Sequence, residues 1–196
     1  MSISPFSLLP DRFKRTKCYA QNSFVFKQGT LTSGLMRLKS GVVSVQRVSR
    51  DGKVSVMHKV SAGEMFAEAS LFTDRYHCDA FCVEACNVEW VDKYQVFSEM
   101  NSNPLFSISL MEYMAQRLQG SRELLELRNV PSAEERILAG IRLGLMTDTI
   151  AAFAEHIGIT HAACYRGLRN LSEQGQVTKT GRGQYAIADS KKRASG

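Results

Sequence analysis

The segment of residues 66–82, FAEASLFTDRYHCDAFC, holds the side chains best suited to contact a small ligand. A short turn of small residues carries one carboxylate, Glu68, which can accept hydrogen bonds from a hydroxyl or amine. Cys78 is a candidate redox thiol, which needs a lowered pKa, whereas the adjacent Asp79 tends to raise it. The predicted effector pocket comprises Ala67, Glu68, Ala69, Cys78 and Asp79.

The five cysteines, at positions 18, 78, 82, 86 and 164, do not form a recognisable metal motif. The C-x3-C-x3-C spacing differs from the C-x2-C pattern of zinc sites and from common iron–sulfur runs. On a strand, cysteines four residues apart are separated by about 13 Å, too far for shared ligation. We therefore interpret them as small buried apolar residues and predict no metal and no cofactor.

Residues 149–175 have the pattern of a helix-turn-helix. A short helix, TIAAFAEHI, ends at Gly158, and Thr160 is placed to cap a second helix, HAACYRGLRNLSEQG. The predicted shared core comprises Phe153, Ile157, Ile159, Cys164, Leu168 and Leu171.

Two short strands, VTKT and QYAI, follow around a Gly-Arg-Gly turn and predict a wing. Arg166 on the second helix is suited to the two-pronged hydrogen bond with a guanine edge. The other cations are better suited to neutralise phosphates. The alternative is a helical hairpin with ordinary surface arginines. The predicted DNA-binding residues are Thr160, His161, Ala162, Tyr165, Arg166, Arg169, Lys179 and Arg182.

The charge distribution favours a C-terminal surface for a polyanion. The net charge is +6; residues 160–196 carry seven Lys or Arg and two acids, whereas residues 1–159 carry 18 and 17. A solvated basic tail, containing Lys191, Lys192 and Arg193, is the alternative.

Short strands with turn glycines must position the pocket. Glycines recur at positions 29, 41, 52 and 63, with alternating runs between them, and Asp51-Gly52 predicts a hairpin turn. The later runs AFCVEA and VEWVDK predict two more strands, with Cys86-Asn87 as their turn. This pattern predicts an antiparallel β-roll or barrel over residues 1–103.

From Pro104 the apolar period changes from 2 to 3.6, which predicts one long helix over residues 104–130. A two-heptad seam suggests that this helix pairs in parallel with a second copy, although packing on its own domain would give a similar stripe. Pro131 is the predicted hinge before a C-terminal domain of residues 131–196. The predicted dimer-interface residues are Met111, Met114, Leu118, Ser121 and Leu125.

The sequence contains no stretch of about 18 uninterrupted apolar residues, so no membrane span is predicted. The first residues, MSISPFSLLPDRFKRTK, lack the long apolar core of a secretion signal. We therefore expect a cytoplasmic protein without a membrane partner.

The predicted fold class is α+β, with a β-roll, a long helix and a winged helix-turn-helix in this order. With this order of elements, the chain resembles the Crp/Fnr family of bacterial transcription regulators. The motifs GEMFAEASLF and GITHAACYRGLRNLSEQG carry the resemblance. It implies a cyclic-nucleotide-binding-like sensor domain and a homodimer that binds a pseudo-palindromic site on double-stranded DNA. RNA polymerase and a small-molecule effector are further candidate partners.

The pocket departs from the family pattern. In cyclic-nucleotide-binding members a Gly amide approaches the phosphate, a Glu holds the ribose hydroxyl, and an Arg pairs with the phosphate. The resemblance places Ala67 at the Gly, Glu68 at the Glu and Cys78 at the Arg. A buried phosphate needs a cation, so we do not expect cyclic AMP to be the effector. Arg75 is the alternative cation. Iron–sulfur members of the family carry an N-terminal cysteine cluster, and here only Cys18 lies in that region, so an iron–sulfur sensor is not expected.

The recognition helix departs from the pattern as well. Many members show Arg-Glu-x-x-x-Arg, and here His161 and Ala162 replace the first two residues while Arg166 is retained. The loss of the acid removes an acceptor for a cytosine amino group. The usual half-site of the family is therefore not assumed.

Three hypotheses remain for the sensor: another small molecule, a redox signal through Cys78, or no effector. A competing class is a cupin-type β-roll enzyme, which needs two or three histidines with a carboxylate as metal ligands. The roll contains only His58 and His77, so we expect no enzyme. A purely structural dimer module conflicts with the wing and the basic C-terminal part.

Overall fold

The computed structural model describes residues 4–146 and 149–188, and it divides the chain into two compact units, Met1–Ala115 and Gln116–Gly196. Within the described residues, no helix is both long and apolar enough to cross a membrane.

The described residues form ten strands and six α-helices. The strands are β1 (Arg15–Tyr19), β2 (Phe24–Phe26), β3 (Gly34–Ser40), β4 (Val43–Val48), β5 (Val54–Val60), β6 (Met65–Phe66), β7 (Asp79–Cys82), β8 (Cys86–Asp92), β9 (Val177–Gly181) and β10 (Gln184–Ile187). The helices are α1 (Pro5–Leu8), α2 (Lys93–Ser102), α3 (Pro104–Asn129), α4 (Ala133–Arg142), α5 (Ile150–Ile157) and α6 (His161–Glu173).

The first unit contains two four-stranded antiparallel sheets, in the orders β1-β8-β3-β6 and β2-β7-β4-β5. Strands β4 and β5 form the predicted hairpin, and Gly52 in its turn has a φ of +80°, which a glycine adopts without the Cβ penalty. The predicted β-roll and the α+β fold class are confirmed.

The predicted turn at Cys86-Asn87 is wrong. Both residues lie inside β8, where Cys86 pairs with Tyr19 and Asn87 with Cys18, and the connection from β7 occupies residues 83–85. Pairing with β1 extends the strand to residue 86, and the Cys86 thiol lies buried in the roll core.

Two apolar clusters stabilise the roll. One includes Phe26, whose ring stacks on Tyr76 with 3.7 Å between ring centroids, and it also contains Cys78. The other packs α1, α2 and the first turns of α3 against the roll, with Phe106 and Leu110 fully buried. The Tyr113 hydroxyl donates to the Met65 carbonyl oxygen at 2.9 Å. These contacts connect the first part of α3 to the strand that precedes the pocket turn.

Helix α3 has 26 residues, so it extends for about 39 Å. It begins as predicted, because the Asn103 side-chain oxygen accepts a hydrogen bond from the Phe106 amide at 3.2 Å. An apolar face stays exposed: Met111, Leu118 and Leu125 are 59%, 54% and 63% exposed. Met114 differs from them, because it packs partly against the roll core.

In the second unit, α4, α5, α6 and the β9–β10 hairpin surround one core. Glycines permit the close helix contacts: a Cβ at Gly167 would lie 2.5 Å from Ile137 Cδ1, and one at Gly140 would lie 2.8 Å from Ile157 Cγ2. The six predicted core residues all belong to this cluster, five of them buried and Ile159 partly buried. Burial raises the pKa of the Cys164 thiol to about 11.

Candidate nucleic-acid interface and ligand pocket

Local capping residues define the helix-turn-helix. Thr149 caps α5, and Gly158 ends it with a φ of +72°. The Thr160 hydroxyl accepts a hydrogen bond from the Ala163 amide at 3.2 Å and so caps α6. These helix ends agree with the sequence prediction, since caps depend on neighbouring residues.

The exposed side of α6 carries the predicted contact residues. His161, Ala162, Tyr165, Arg166 and Arg169 are all exposed, whereas Cys164, Gly167, Leu168 and Leu171 face the core. The His161 and Tyr165 rings meet edge to face, with 6.0 Å between centroids. The first two turns of α6 therefore present an aromatic pair and a guanidinium side by side.

An open groove of about 650 Å³ lies between α6 and the β9–β10 hairpin. It brings together four of the predicted residues from α6 and the wing, and it adds Ser172 and Tyr185, which the sequence analysis missed. Helical spacing from Arg169 and strand alternation in QYAI are the signals that point to these two. The lining residues are Tyr165, Arg166, Arg169, Ser172, Lys179 and Tyr185.

The cations that line this groove, Arg166, Arg169 and Lys179, are exposed to solvent. Arg169 forms an exposed ion pair with Glu173 at 3.7 Å, a contact that contributes little in water. Arg182 does not line the groove; it is exposed in the turn between β9 and β10. A groove with aromatic walls and several cations can bind a polyanion through its phosphates.

The pocket turn in the first unit has an unusual backbone. Ala67 adopts a left-handed conformation, with φ +67° and ψ +8°, directly before a 3₁₀ turn of Glu68–Ser70. This conformation costs a non-glycine residue about 1 kcal/mol. Glu68 is half-buried, whereas Ala69 is exposed. The turn keeps the shape that a glycine would supply although the residue is an alanine.

Cys78 and Asp79 are buried at the start of β7, with 5% and 8% exposure. The Asp79 carboxylate accepts a hydrogen bond from the Gln28 amide at 2.7 Å, so it supports the chain beside β2. Burial raises the pKa of the Cys78 thiol, the nearby Asp79 and Glu68 carboxylates raise it further, and Arg47 opposes them. Glu68 and Asp79 thus lie near enough to Cys78 to affect its thiol, and their role as an effector pocket stays a prediction.

Two arginines lie near this segment. Arg75 donates to the Gly29 carbonyl oxygen at 2.7 Å and so ties its own loop to the segment after β2. Arg47 on β4 donates from Nε to the His77 carbonyl oxygen at 3.3 Å. The sequence analysis missed Arg47, because it reaches the pocket segment through strand pairing rather than through nearby sequence.

Within residues 4–146 and 149–188, no group of three or more His, Cys, Asp or Glu side chains is arranged to hold a metal ion. Cys18 is exposed, and its thiol donates to Asn87 Oδ1 at 2.8 Å, whereas Cys78, Cys82, Cys86 and Cys164 are buried.

Comparison with known proteins agrees with this architecture. Residues 16–103 match the family model described as a cyclic nucleotide-binding domain. The nitrogen fixation regulation protein FixK of Azorhizobium caulinodans is 24% identical over 178 residues, which cover 82% of this chain and 70% of that protein.

Solved structures share the fold at low sequence identity. FixK2 from Bradyrhizobium japonicum has a TM-score of 0.66 at 15% identity, covering 91% of this chain and 94% of that one. A CooA mutant from Carboxydothermus hydrogenoformans has a TM-score of 0.70 at 14% identity, covering 95% and 88%. The roll, the long helix and the winged helix-turn-helix, together with these likenesses, support the resemblance to the Crp/Fnr family of bacterial transcription regulators.

Proposed function

We propose that the chain acts as a homodimeric, sequence-specific DNA-binding regulator whose sensor domain does not bind cyclic AMP. The observation that carries the DNA-binding part is the groove between α6 and the wing, where Arg166, Arg169 and Lys179 converge. Two copies of α6 would enter successive major grooves about 34 Å apart on a pseudo-palindromic site.

Within this surface the side chains divide into two roles. Arg166, near the middle of α6, pairs with guanine O6 and N7. Ala162 and the His161–Tyr165 ring pair flank it without a carboxylate, so we expect the neighbouring position to lack the cytosine preference that an acid gives. Arg169, Lys179 and Arg182 contact phosphates and set the register on the duplex.

The exposed apolar face of α3 supports the dimer. Met111, Leu118 and Leu125 repeat every seven residues and are each more than half exposed in the single chain. A heptad repeat of this kind is buried when two parallel helices pair. The partner in this proposal is therefore a second copy of the same chain.

DNA binding is tested by fluorescence anisotropy with a labelled pool of mixed-sequence duplexes at several salt concentrations. We expect binding whose affinity falls steeply with salt, because contacts with several phosphates release counterions. Binding that is absent at low salt would contradict the proposal.

The pocket supports a sensor that has lost cyclic-phosphate recognition. The resemblance places Cys78 at the phosphate-binding arginine, and this thiol lies in the roll core and has a raised pKa. Arg75 is engaged with Gly29, and Asp79 with Gln28. A cyclic phosphate placed here would meet two carboxylates and a neutral thiol, which is an unfavourable site for an anion.

Titration calorimetry with cyclic AMP tests this part. We expect no heat of binding and no shift of the melting temperature, whereas a ligand at 100 times its Kd would stabilise the protein by about 2.7 kcal/mol. A clear stabilisation would show that another cation, with Arg47 the nearest candidate, replaces the missing one.

Redox sensing through Cys78 is the second candidate mechanism. The observations disfavour it, because burial and the Asp79 and Glu68 carboxylates raise the pKa of the thiol although Arg47 opposes them. An unidentified small-molecule effector that contacts Glu68, and RNA polymerase as a protein partner, complete the proposal.

A further inference from the structure

Two arginines from outside the helix-turn-helix converge on its turn. Arg128, in the last turn of α3, donates from Nε and Nη2 to the His156 carbonyl oxygen at 3.3 and 3.2 Å. Arg136, on α4, donates from Nη1 to the Gly158 carbonyl oxygen at 2.9 Å. Both arginines therefore bind the end of α5, immediately before the recognition helix.

The acceptors are suited to cations. The carbonyl groups at the C-terminal end of a helix lack intrahelical partners and carry partial negative charge. Gly158 also lacks a side chain: a Cβ there would lie 3.2 Å from Arg128 Cγ, so the arginine chain runs directly across this glycine. The glycine that permits the left-handed end of α5 thus also gives Arg128 access to the turn.

Arg136 makes a second contact that involves the expected hinge. Its Nε donates to the Val130 carbonyl oxygen at 3.0 Å, while its Nη1 holds Gly158. One guanidinium therefore connects the residue before Pro131 to the turn of the helix-turn-helix. The Val130 amide is bonded as well, to the Leu127 carbonyl oxygen at 3.2 Å. A rotation at Pro131 would have to break the contacts that span it, which are Arg136 with Val130 and Arg128 with His156.

We propose that Arg128 and Arg136 are positioning residues that lock the helix-turn-helix to the C-terminal end of α3. While the hydrogen bonds of Arg128 and Arg136 are intact, the last turns of α3, α4 and the recognition helix move as one body. Any rearrangement between sensor and DNA-binding parts then takes place on the N-terminal side of Arg128, not at Pro131. Arg128, Arg136 and the helix-turn-helix all belong to the unit of residues 116–196.

The inference rests on the proposed function, and in a DNA-bound dimer it has a specific consequence. Two recognition helices held rigidly by α3 tolerate one spacing between half-sites. Adding one base pair moves a half-site by about 3.4 Å and rotates it by about 34°. A locked dimer therefore discriminates strongly against altered spacing, and an unlocked dimer does so less.

The test compares wild type with Arg128→Ala and Arg136→Ala, and with Arg142→Ala, which removes an exposed arginine from the same helix as Arg136. Binding is measured on the selected palindrome, on versions with one base pair added or removed, and on a single half-site. In Arg128→Ala and in Arg136→Ala we expect the ratio of affinities for the correctly spaced and the altered palindromes to fall about tenfold. Their affinity for a single half-site should stay close to wild type. Arg142→Ala should match wild type on every duplex. Unchanged spacing discrimination in both lock variants would overturn the inference.

Hydrogen exchange provides a readout that does not depend on DNA. In wild type we expect slow exchange of the Val130 amide, and in Arg136→Ala exchange at least about tenfold faster than the change in global unfolding free energy accounts for. Equal exchange in both proteins would overturn the inference. If wild type shows this protection but binds no palindrome, the proposed function fails and the lock stands.

Discussion

The Asn170 side-chain amide donates to the Glu134 carboxylate at 2.9 Å, and this bond joins the recognition helix α6 to α4. It lies one turn from the close contact between Gly167 and Ile137. The orientation of α6 is thus held by a polar bond and by helix packing together.

Asn170→Ala should therefore destabilise the second unit. The variant leaves a partly buried carboxylate without this donor, so we expect a loss of about 1 kcal/mol in the free energy of unfolding. Urea unfolding followed by circular dichroism measures it. Glu155→Ala, an exposed position on α5, is the comparison, and an Asn170→Ala midpoint equal to wild type would show that the bond does not stabilise the unit.

Arg166→Ala and Lys179→Ala should have different effects on DNA binding. Loss of a guanine contact should cost about 1–3 kcal/mol on the selected site and relax specificity at one position. Loss of a phosphate contact should weaken binding to all sequences alike and reduce the salt slope by about 1 for each protomer.

Both effects are measured by anisotropy on specific and scrambled duplexes, with Lys39→Ala on the exposed end of β3 as the control. If Arg166→Ala bound its site as tightly as wild type, the assignment of the recognition helix contacts would be wrong.

The dimer prediction is best tested at Leu118 and Leu125. Both are more than half exposed, so glutamate there leaves the single chain intact but places charges in a helix seam. Met114 is less suitable, because it packs on the roll core. We expect Leu118→Glu with Leu125→Glu to give monomers in sedimentation velocity experiments.

Gln116→Glu adds the same charge to the same helix outside the heptad seam and should leave the dimer unchanged. A double variant that still sediments as a dimer would exclude α3 as the interface.

The buried thiol of Cys164 predicts a pH dependence. Its pKa is raised from 9.0 to about 11, so the neutral thiol contributes stability below pH 9 that is lost as the pH rises through 11. The shift corresponds to about 2–3 kcal/mol in the free energy of unfolding. We expect Cys164→Ala to show a flatter decline than wild type in urea unfolding between pH 8.5 and 10.5; parallel curves would contradict this.

The sequence predicted those features that depend on neighbouring residues. Thr160 and Gly158 define the helix-turn-helix through local capping, and Asp51-Gly52 defines its hairpin through turn geometry. The change of apolar period at Pro104 located α3 for the same reason.

Features that depend on distant pairing were missed or wrong. The turn placed at Cys86-Asn87 failed because pairing with β1 carries β8 through both residues. Arg47 reaches the pocket segment from another strand, and the carbonyl oxygen bound by Arg128 lies 28 residues further along the chain. No local sequence pattern predicts such contacts, since every residue has a main-chain carbonyl oxygen that can accept a hydrogen bond.

The central claim is that this dimer reads a specific palindromic site without cyclic AMP. The most direct measurement is selection of binding sites from random duplexes, using protein purified under reducing conditions with nothing added. The account predicts enrichment of a two-fold symmetric site with half-site centres about one helical turn apart and a guanine in each half. Weak, salt-sensitive binding with no enriched sequence, unchanged when the selection is repeated with cell metabolites, would contradict it.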